Sequence, residues 1–125
     1  MKIVGTAVIF NERKEVLIGQ RPEGKDLALL WEFPGGKLEE GETVEECIRR
    51  EIKEELDVEI EVGRFLQDVE GGKFVLKVYE AKILDLENLK ANVHRDLKWV
   101  KIDELENYQF PKADVEIVEY LSLNF

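Results

Sequence analysis

The sequence predicts a mixed α/β fold, with helices packed on a sheet. Three observations predict it. Short strand-like runs recur along most of the chain, beginning with Lys2 to Phe10, which is rich in Val, Ile and Thr. One long stretch without Pro or Gly interrupts them, and an apolar helical period returns near the C-terminus. Strands that dominate, with one internal and one terminal helix, bury their apolar faces best as helices against a sheet.

Each element has its own warrant. Lys2 to Phe10 reads as a buried strand, and Asn11-Glu12-Arg13-Lys14 as a polar turn. Glu15 to Gln20 reads as a second strand, so the two are expected to form a hairpin. Pro22 to Asp26 is a polar loop. Leu27 to Phe33 is a bulky apolar run interrupted by Glu32, and Pro34-Gly35-Gly36 reads as a breaker. Thr43 followed by Glu46 is a capping box that starts a helix running to Leu56. Val58 to Val69 and Lys73 to Ile83 read as strands joined by a turn at Gly71-Gly72. Leu97 to Ile102 is a short strand. Ala113 to Leu123 is a terminal helix with Ile117, Val118 and Leu121 on one face.

Composition narrows the function. A chain of 125 residues points to one domain with a core that needs no staples. Its 28 acidic and 18 basic residues give a net charge of −10. That balance argues against binding a nucleic acid polymer or an anionic membrane through bulk charge. A small anionic ligand stays compatible, because a bound divalent cation inverts the local sign. One cysteine and one histidine exclude a disulfide and any Cys- or His-rich metal cage. No apolar run approaches the ~18 residues of a membrane span. The first residues lack the pattern of a signal peptide, so a cytoplasmic location is expected.

The internal helix departs from simple amphipathicity. With Val44 at zero, Cys47, Ile48, Ile52 and Leu56 form an apolar arc from about 300° to about 120°. Glu51 and Glu55 fall inside that arc, near about 340° and 20°, and Glu54 sits at its edge near about 280°. The acids are either exposed where the last turn leaves the core, or they converge on a cleft. Converging carboxylates repel one another and resist desolvation. A hard divalent cation relieves both costs, and Mg²⁺ also takes phosphate oxygens as ligands. Gly35-Gly36 before the helix allows close backbone approach to a ligand or metal. Arg21 and Lys37 are candidate phosphate contacts. Cys47 lies on the apolar arc and reads as inert packing.

The spacing of Gly36, Glu42, Arg50, Glu51, Ile52, Glu54, Glu55 and Val58 resembles the box of the Nudix hydrolases, G-x5-E-x7-R-E-U-x-E-E-x-G-U with U apolar. One position departs, with Asp57 where the family has Gly. Asp tolerates the left-handed conformation needed there, so a structural adjustment is expected. Arg21-Pro22, the run Leu30 to Lys37, Trp99-Val100 and Phe110 to Asp114 resemble the MutT branch, so the likeness spans about Ile3 to Leu121.

The resemblance implies a Nudix α/β/α sandwich, a mixed sheet flanked by helices. It implies Mg²⁺-dependent hydrolysis of a nucleoside triphosphate to the monophosphate and pyrophosphate, with Mn²⁺ as a substitute metal. Glu54 and Glu55, with the carbonyl of Gly35 or Gly36, would hold the metal. Glu51 would be a further ligand or the base for the attacking water. Arg50 would orient these carboxylates, and Glu42 would buttress the turn or reach a second metal through water. Arg21 and Lys37 would contact the phosphates.

The glutamate that MutT-like enzymes often carry before the tryptophan strand aligns with Val93. His94 and Asp96 are nearby alternatives, and a lone loop histidine is expected to be exposed. The general base therefore stays open, with Glu51 favoured. Asp114 reads either as an acid favoured by the helix dipole or as an acceptor for the N–H edge of a nucleobase. Phe74 or Phe110 would pack on the base, or belong to the core. Trp31 and Trp99 are assigned to the core or a pocket wall. The substrate expected is an 8-oxo-dGTP-like nucleotide, with a CTP- or dCTP-type pyrimidine as the alternative. A non-catalytic nucleotide-sensing domain is the competing class, and the presence of Glu51, Glu54 and Glu55 weighs against it. The protein is expected to act as a monomer or homodimer.

Overall fold

A computed structural model describes residues 1–125. The strands are β1 (Lys2–Ile9), β2 (Glu15–Gln20), β3 (Trp31–Glu32) and β4 (Gly35–Lys37), followed by helix α1 (Val44–Leu56). Then come β5 (Ile60–Glu70), β6 (Phe74–Ile83), β7 (Asp96–Lys101) and helix α2 (Lys112–Asn124). Two short 3-10 turns, Leu86–Asn88 and Ile102–Asn107, flank β7. No helix is long and apolar enough to cross a membrane.

The strands form two sheets. A mixed four-stranded sheet has the order β4-β1-β6-β5, with β1 parallel to β6. An antiparallel three-stranded sheet has the order β3-β2-β7. The expected β1–β2 hairpin does not extend into a ladder, and the two segments meet only around the turn, through a bridge from Phe10 to Val16 and hydrogen bonds between Asn11 and Glu15. Both edges of β1 are taken, by β6 along its whole length and by β4 over Val4–Thr6. The β5–β6 hairpin does form, around Gly71-Gly72, with register shifts near Phe65.

Burial explains this division. Val8 of β1 and Val16 and Ile18 of β2 enter one core cluster with Ile117 and Leu121 of α2. Ala7 and Ile9 of β1 and Leu17 of β2 enter a second with Ile48, Ile52 and Leu56 of α1. Each strand is thus buried on both faces, which is what its unbroken apolar run encodes. The helices cover opposite faces, giving the α/β/α layering. Trp31 belongs to the first cluster, and Trp99 packs against the second.

Pro34 does separate two strands, β3 of one sheet from β4 of the other, but the glycines after it are not part of the break. Gly35 and Gly36 lie in β4, paired with Thr6 and Gly5 of β1. The facing glycines leave room for α1, since a Cβ on Gly5 would come within 2.9 Å of Ile48 Cγ1. The α1 N-terminus is the expected capping box, with Thr43 and Glu46 each accepting from the other's backbone N–H. Its C-cap is Asp57 in the left-handed region, at φ 64° and ψ 23°. Asp57 therefore takes the conformation that glycine usually supplies.

Candidate active site

A cleft of about 490 Å³ opens where β4, β3 and the end of β2 meet the last turn of α1. Glu55, Arg21, Glu32, Lys37 and Asp114 all line it, together with Gly35 and Gly36. Two larger grooves lie elsewhere on the surface, beside Phe10 and Glu80, and contain none of these residues.

The α1 acids divide by environment. Glu55 is pushed up to about 8, first by burial and then by the charges of Glu32 and Glu51, against a hydrogen bond from the Gly35 amide. Its Oε1 atom is buried without a hydrogen-bond partner. Glu51 is partly buried and raised for the same first reason. Its carboxyl group occupies the space that a Cβ on Gly36 would fill, so only glycine admits it there. Glu54 is mostly exposed.

Arg50 ties these acids to the loop before the helix. Its Nε and Nη2 donate to the two oxygens of Glu42 at 2.9 and 2.8 Å. Nη1 faces Glu51 at 3.2 Å and Glu54 at 3.3 Å, and Nη2 also donates to the Lys37 carbonyl at 3.1 Å. The bidentate pair with Arg50 is the main reason Glu42 is held down at about 2. Glu42 also accepts from the Glu39 amide at 2.8 Å and so closes the turn.

With Glu51 and Glu54 drawn to Arg50, no three acidic side chains close into a metal cage. The donor set still suits a hard cation. It consists of carboxylate and carbonyl oxygens, and one buried carboxylate oxygen has no partner.

The opposite wall is also charged. Arg21 Nη1 donates to Glu32 Oε1 at 3.0 Å, and its Nε donates to the Asp26 carbonyl at 2.7 Å. Lys37 is exposed and makes no ion pair. Asp114, in the first turn of α2, is buried and accepts the Phe33 N–H at 3.0 Å. Burial is the first cause that pushes its carboxyl up to about 7.

The two candidate stacking rings lie outside the cleft. Phe110 stacks on Phe33 at 5.5 Å, and Phe33 is the ring that reaches the cleft wall. Phe74 packs beside Gly71 at the far end of the β5–β6 hairpin. Val93 lines the cleft and is exposed, whereas Asp96 starts β7 and caps the Leu97 amide at 2.9 Å.

His94 overturns its sequence-based expectation, for it is buried, not exposed. Its Nε2 lies 2.9 Å from Glu32 Oε2. Burial is tolerable because that carboxylate gives the ring a partner. Sequence reasoning also passed over Glu32 as a site residue. The signal was present, since Glu32 is the one charge inside the apolar run Leu27 to Phe33.

Comparison with known proteins gives a consistent picture. A family profile described as NUDIX domain matches residues 2–121. The CTP pyrophosphohydrolase of Escherichia coli (strain K12) is 32% identical over 125 residues, covering 95% of this chain and 91% of that protein. The 8-oxo-dGTP diphosphatase of Haemophilus influenzae is 44% identical over 127 residues, covering 94% and 89%. Among solved structures, the E. coli ORF135 protein superposes with a TM-score of 0.81 at 30% identity, covering 98% of this chain and 89% of that one. The MutT protein of Methanosarcina mazei Go1 has a TM-score of 0.85 at 23% identity, over 98% and 94%, and shares the fold.

Proposed function

The chain belongs to the NUDIX family, and from that premise we propose that it hydrolyses a nucleoside triphosphate to the monophosphate and pyrophosphate with Mg²⁺, in the cytoplasm. Membership and the named relatives make it a Nudix hydrolase, and enzymes of this family use a divalent metal. The observation that carries the reading of the site is Glu55, a half-buried carboxylate whose buried Oε1 has no partner, at the wall of a cleft that also holds Arg21 and Lys37.

Glu55 and Glu54, with a carbonyl of Gly35 or Gly36, would hold the cation, Glu51 would be a further ligand or the base for the attacking water, and Mn²⁺ would substitute. When bound, the metal would supply neutralisation of the phosphate charge and orientation of the attacking water. The remaining work falls to the chain's own groups. Arg21 and Lys37, both of which line the cleft, bind the phosphates. Arg50 holds Glu51 and Glu54 in place, with Glu42 and the Lys37 carbonyl fixing its other N–H groups. As the base, the alternative to its role as a ligand, Glu51 would accept the proton of the water whose oxygen attacks phosphorus as the P–O–P link between the monophosphate and pyrophosphate breaks.

Asp114 would read the nucleobase from the inner end of the cleft, with Phe33 as the nearest aromatic surface. A carboxylate there accepts from N–H donors, which guanine-like and cytosine-like edges both present. We favour an 8-oxo-dGTP-like substrate, a role in cleaning the nucleotide pool, on the 44% identity to the H. influenzae diphosphatase. The CTP-type alternative has its own support in the E. coli relative, which is similar over nearly the whole chain. The chain would work as a monomer or homodimer in a single domain, without a nucleic acid polymer or membrane as partner.

Pyrophosphate release from a panel of nucleoside triphosphates with Mg²⁺ tests this reading. Glu54→Gln should lower the rate on the best substrate by orders of magnitude. A wild-type rate in that variant removes Glu54 from the metal site. Binding without turnover of any nucleotide by the wild-type chain would replace the reading with a sensing function.

A further inference from the structure

His94, Glu32 and Arg21 form a chain of contacts across the three-stranded sheet. Strands β3 and β7 are not neighbours, because β2 lies between them. His94 precedes β7 and Glu32 lies on β3, so the histidine ring must cross β2 to reach the carboxylate. It crosses at Gly19, which pairs with Glu32 on one edge and Leu97 on the other. A Cβ at Gly19 would come within 2.6 Å of His94 Cδ2, so this crossing depends on glycine.

The contact is directional. The His94 side chain is 1% exposed, and its Nδ1 is buried without a partner. A lone-pair nitrogen left unpartnered costs less than a buried N–H left without an acceptor, so the ring proton belongs on Nε2, where Glu32 Oε2 accepts it at 2.9 Å. The other oxygen of Glu32 holds Arg21 at 3.0 Å.

Glu32 needs to be held. It shares the cleft with the carboxyl groups of Glu55 and Asp114. Lys25 and Lys37 line that cleft too and would compete with Arg21 for a carboxylate free to turn. Anchored at Oε2, Glu32 can present only Oε1, and the guanidinium is then clamped between Glu32 and the Asp26 carbonyl.

We propose that His94 is a positioning residue for substrate binding, which acts through Glu32 to aim Arg21 at the phosphate end of the cleft. The proposal rests on the reading of Arg21 as a phosphate contact. A pre-aimed guanidinium gives up less conformational freedom when the substrate arrives.

The test is a double-variant cycle on KM and kcat with the best triphosphate from the panel. Arg21→Ala and His94→Ala should each raise KM about tenfold, the scale of one lost charge-assisted hydrogen bond. The double variant should raise it no further than the larger single effect. For His94→Ala, KM should rise at least several times more than kcat falls. His94→Gln, whose amide places a donor near the position of Nε2, should restore most of the affinity. Gly19→Ala, which leaves every charge in place but displaces the ring, should match His94→Ala. If His94→Ala does not fold, the Gln and Gly19→Ala variants carry the same comparison.

Multiplying effects in the double variant, or equal losses in His94→Gln and His94→Ala, would overturn the proposal. A KM rise in Arg21→Ala with none in His94→Ala or Gly19→Ala would overturn it alone. No KM change in Arg21→Ala would remove the phosphate reading and the proposal together.

Discussion

Glu55 carries, at the scale of one residue, a burial cost that the proposed metal site would turn to use. Burial and the neighbouring acids push its carboxyl up to about 8, so the negative form is disfavoured in the metal-free chain. Glu55→Gln removes the charge and keeps the shape. It should raise the melting temperature of metal-free protein at pH 8 while lowering turnover sharply. A lower melting temperature in that variant would mean the carboxylate is better accommodated than its burial implies. Asp114 poses a different question, because it can serve the fold, the base, or both. Its hydrogen bond from Phe33 ties α2 to the strand before the glycines. Asp114→Ala should therefore reorder the preferred nucleotides more than it slows the best one. An unchanged ranking in the substrate panel would confine Asp114 to the structural role.

Among the elements, α1 was the most legible. Its capping box, its length and the place of its acids within the apolar arc are local properties of contiguous residues. The structure adds that Asp57 pays a conformational cost at φ 64°. Asp57→Gly should stabilise the fold by up to about 1 kcal/mol, read as a higher denaturant midpoint at unchanged slope. The exposed contact with Lys90, at 4.0 Å, is too weak to reverse that sign. A lower midpoint would show that this contact outweighs the backbone strain. Strands were legible as segments, but as a pair only in the β5–β6 hairpin, where a glycine turn joins them. Glu15 to Gln20 has the expected bounds in the structure, yet its partners are β3 and β7, because pairing depends on which edges remain free once the layers assemble. The same holds for Gly35-Gly36, whose turn-like composition conceals a strand that only the facing Gly5 explains.

The whole molecule carries its acid excess unevenly, and that sets a pH response. Glu55 and Asp114 have ordinary values of 4.5 and 3.8 but stand near 8 and 7 in the fold. Between about pH 4 and pH 8 the folded chain therefore binds more protons than the unfolded chain. Their contribution to stability is complete below the ordinary values and is lost as pH rises through the folded ones. Glu42 and Glu32 act in the opposite sense, since their lowered values favour the fold above the ordinary carboxylate range and lose that effect in acid. Metal-free protein should thus lose stability from about pH 5 to pH 8, and added Mg²⁺ should restore it most at the upper end, where the carboxylates are free to bind the cation. Thermal melts with and without chelator across that range test this. A metal effect that shrinks as pH rises would contradict it.

By itself the sequence determined the pieces whose physics is local. These are the capped helix, the left-handed residue at its end, the three glutamates grouped near its C-terminus, and the acidic balance of the chain. The resemblance of the box to the Nudix pattern rests on the same short spacings, which is why it was legible without coordinates. The tertiary structure alone decided the rest. It split the strands into two sheets, moved Phe74 and Phe110 out of the cleft, and put Phe33 at its wall. It also buried His94 against a glutamate 62 residues away. No periodicity encodes that last contact. It exists because β2 holds β3 and β7 on its two edges, and because Gly19 leaves the one gap through which an imidazole can pass.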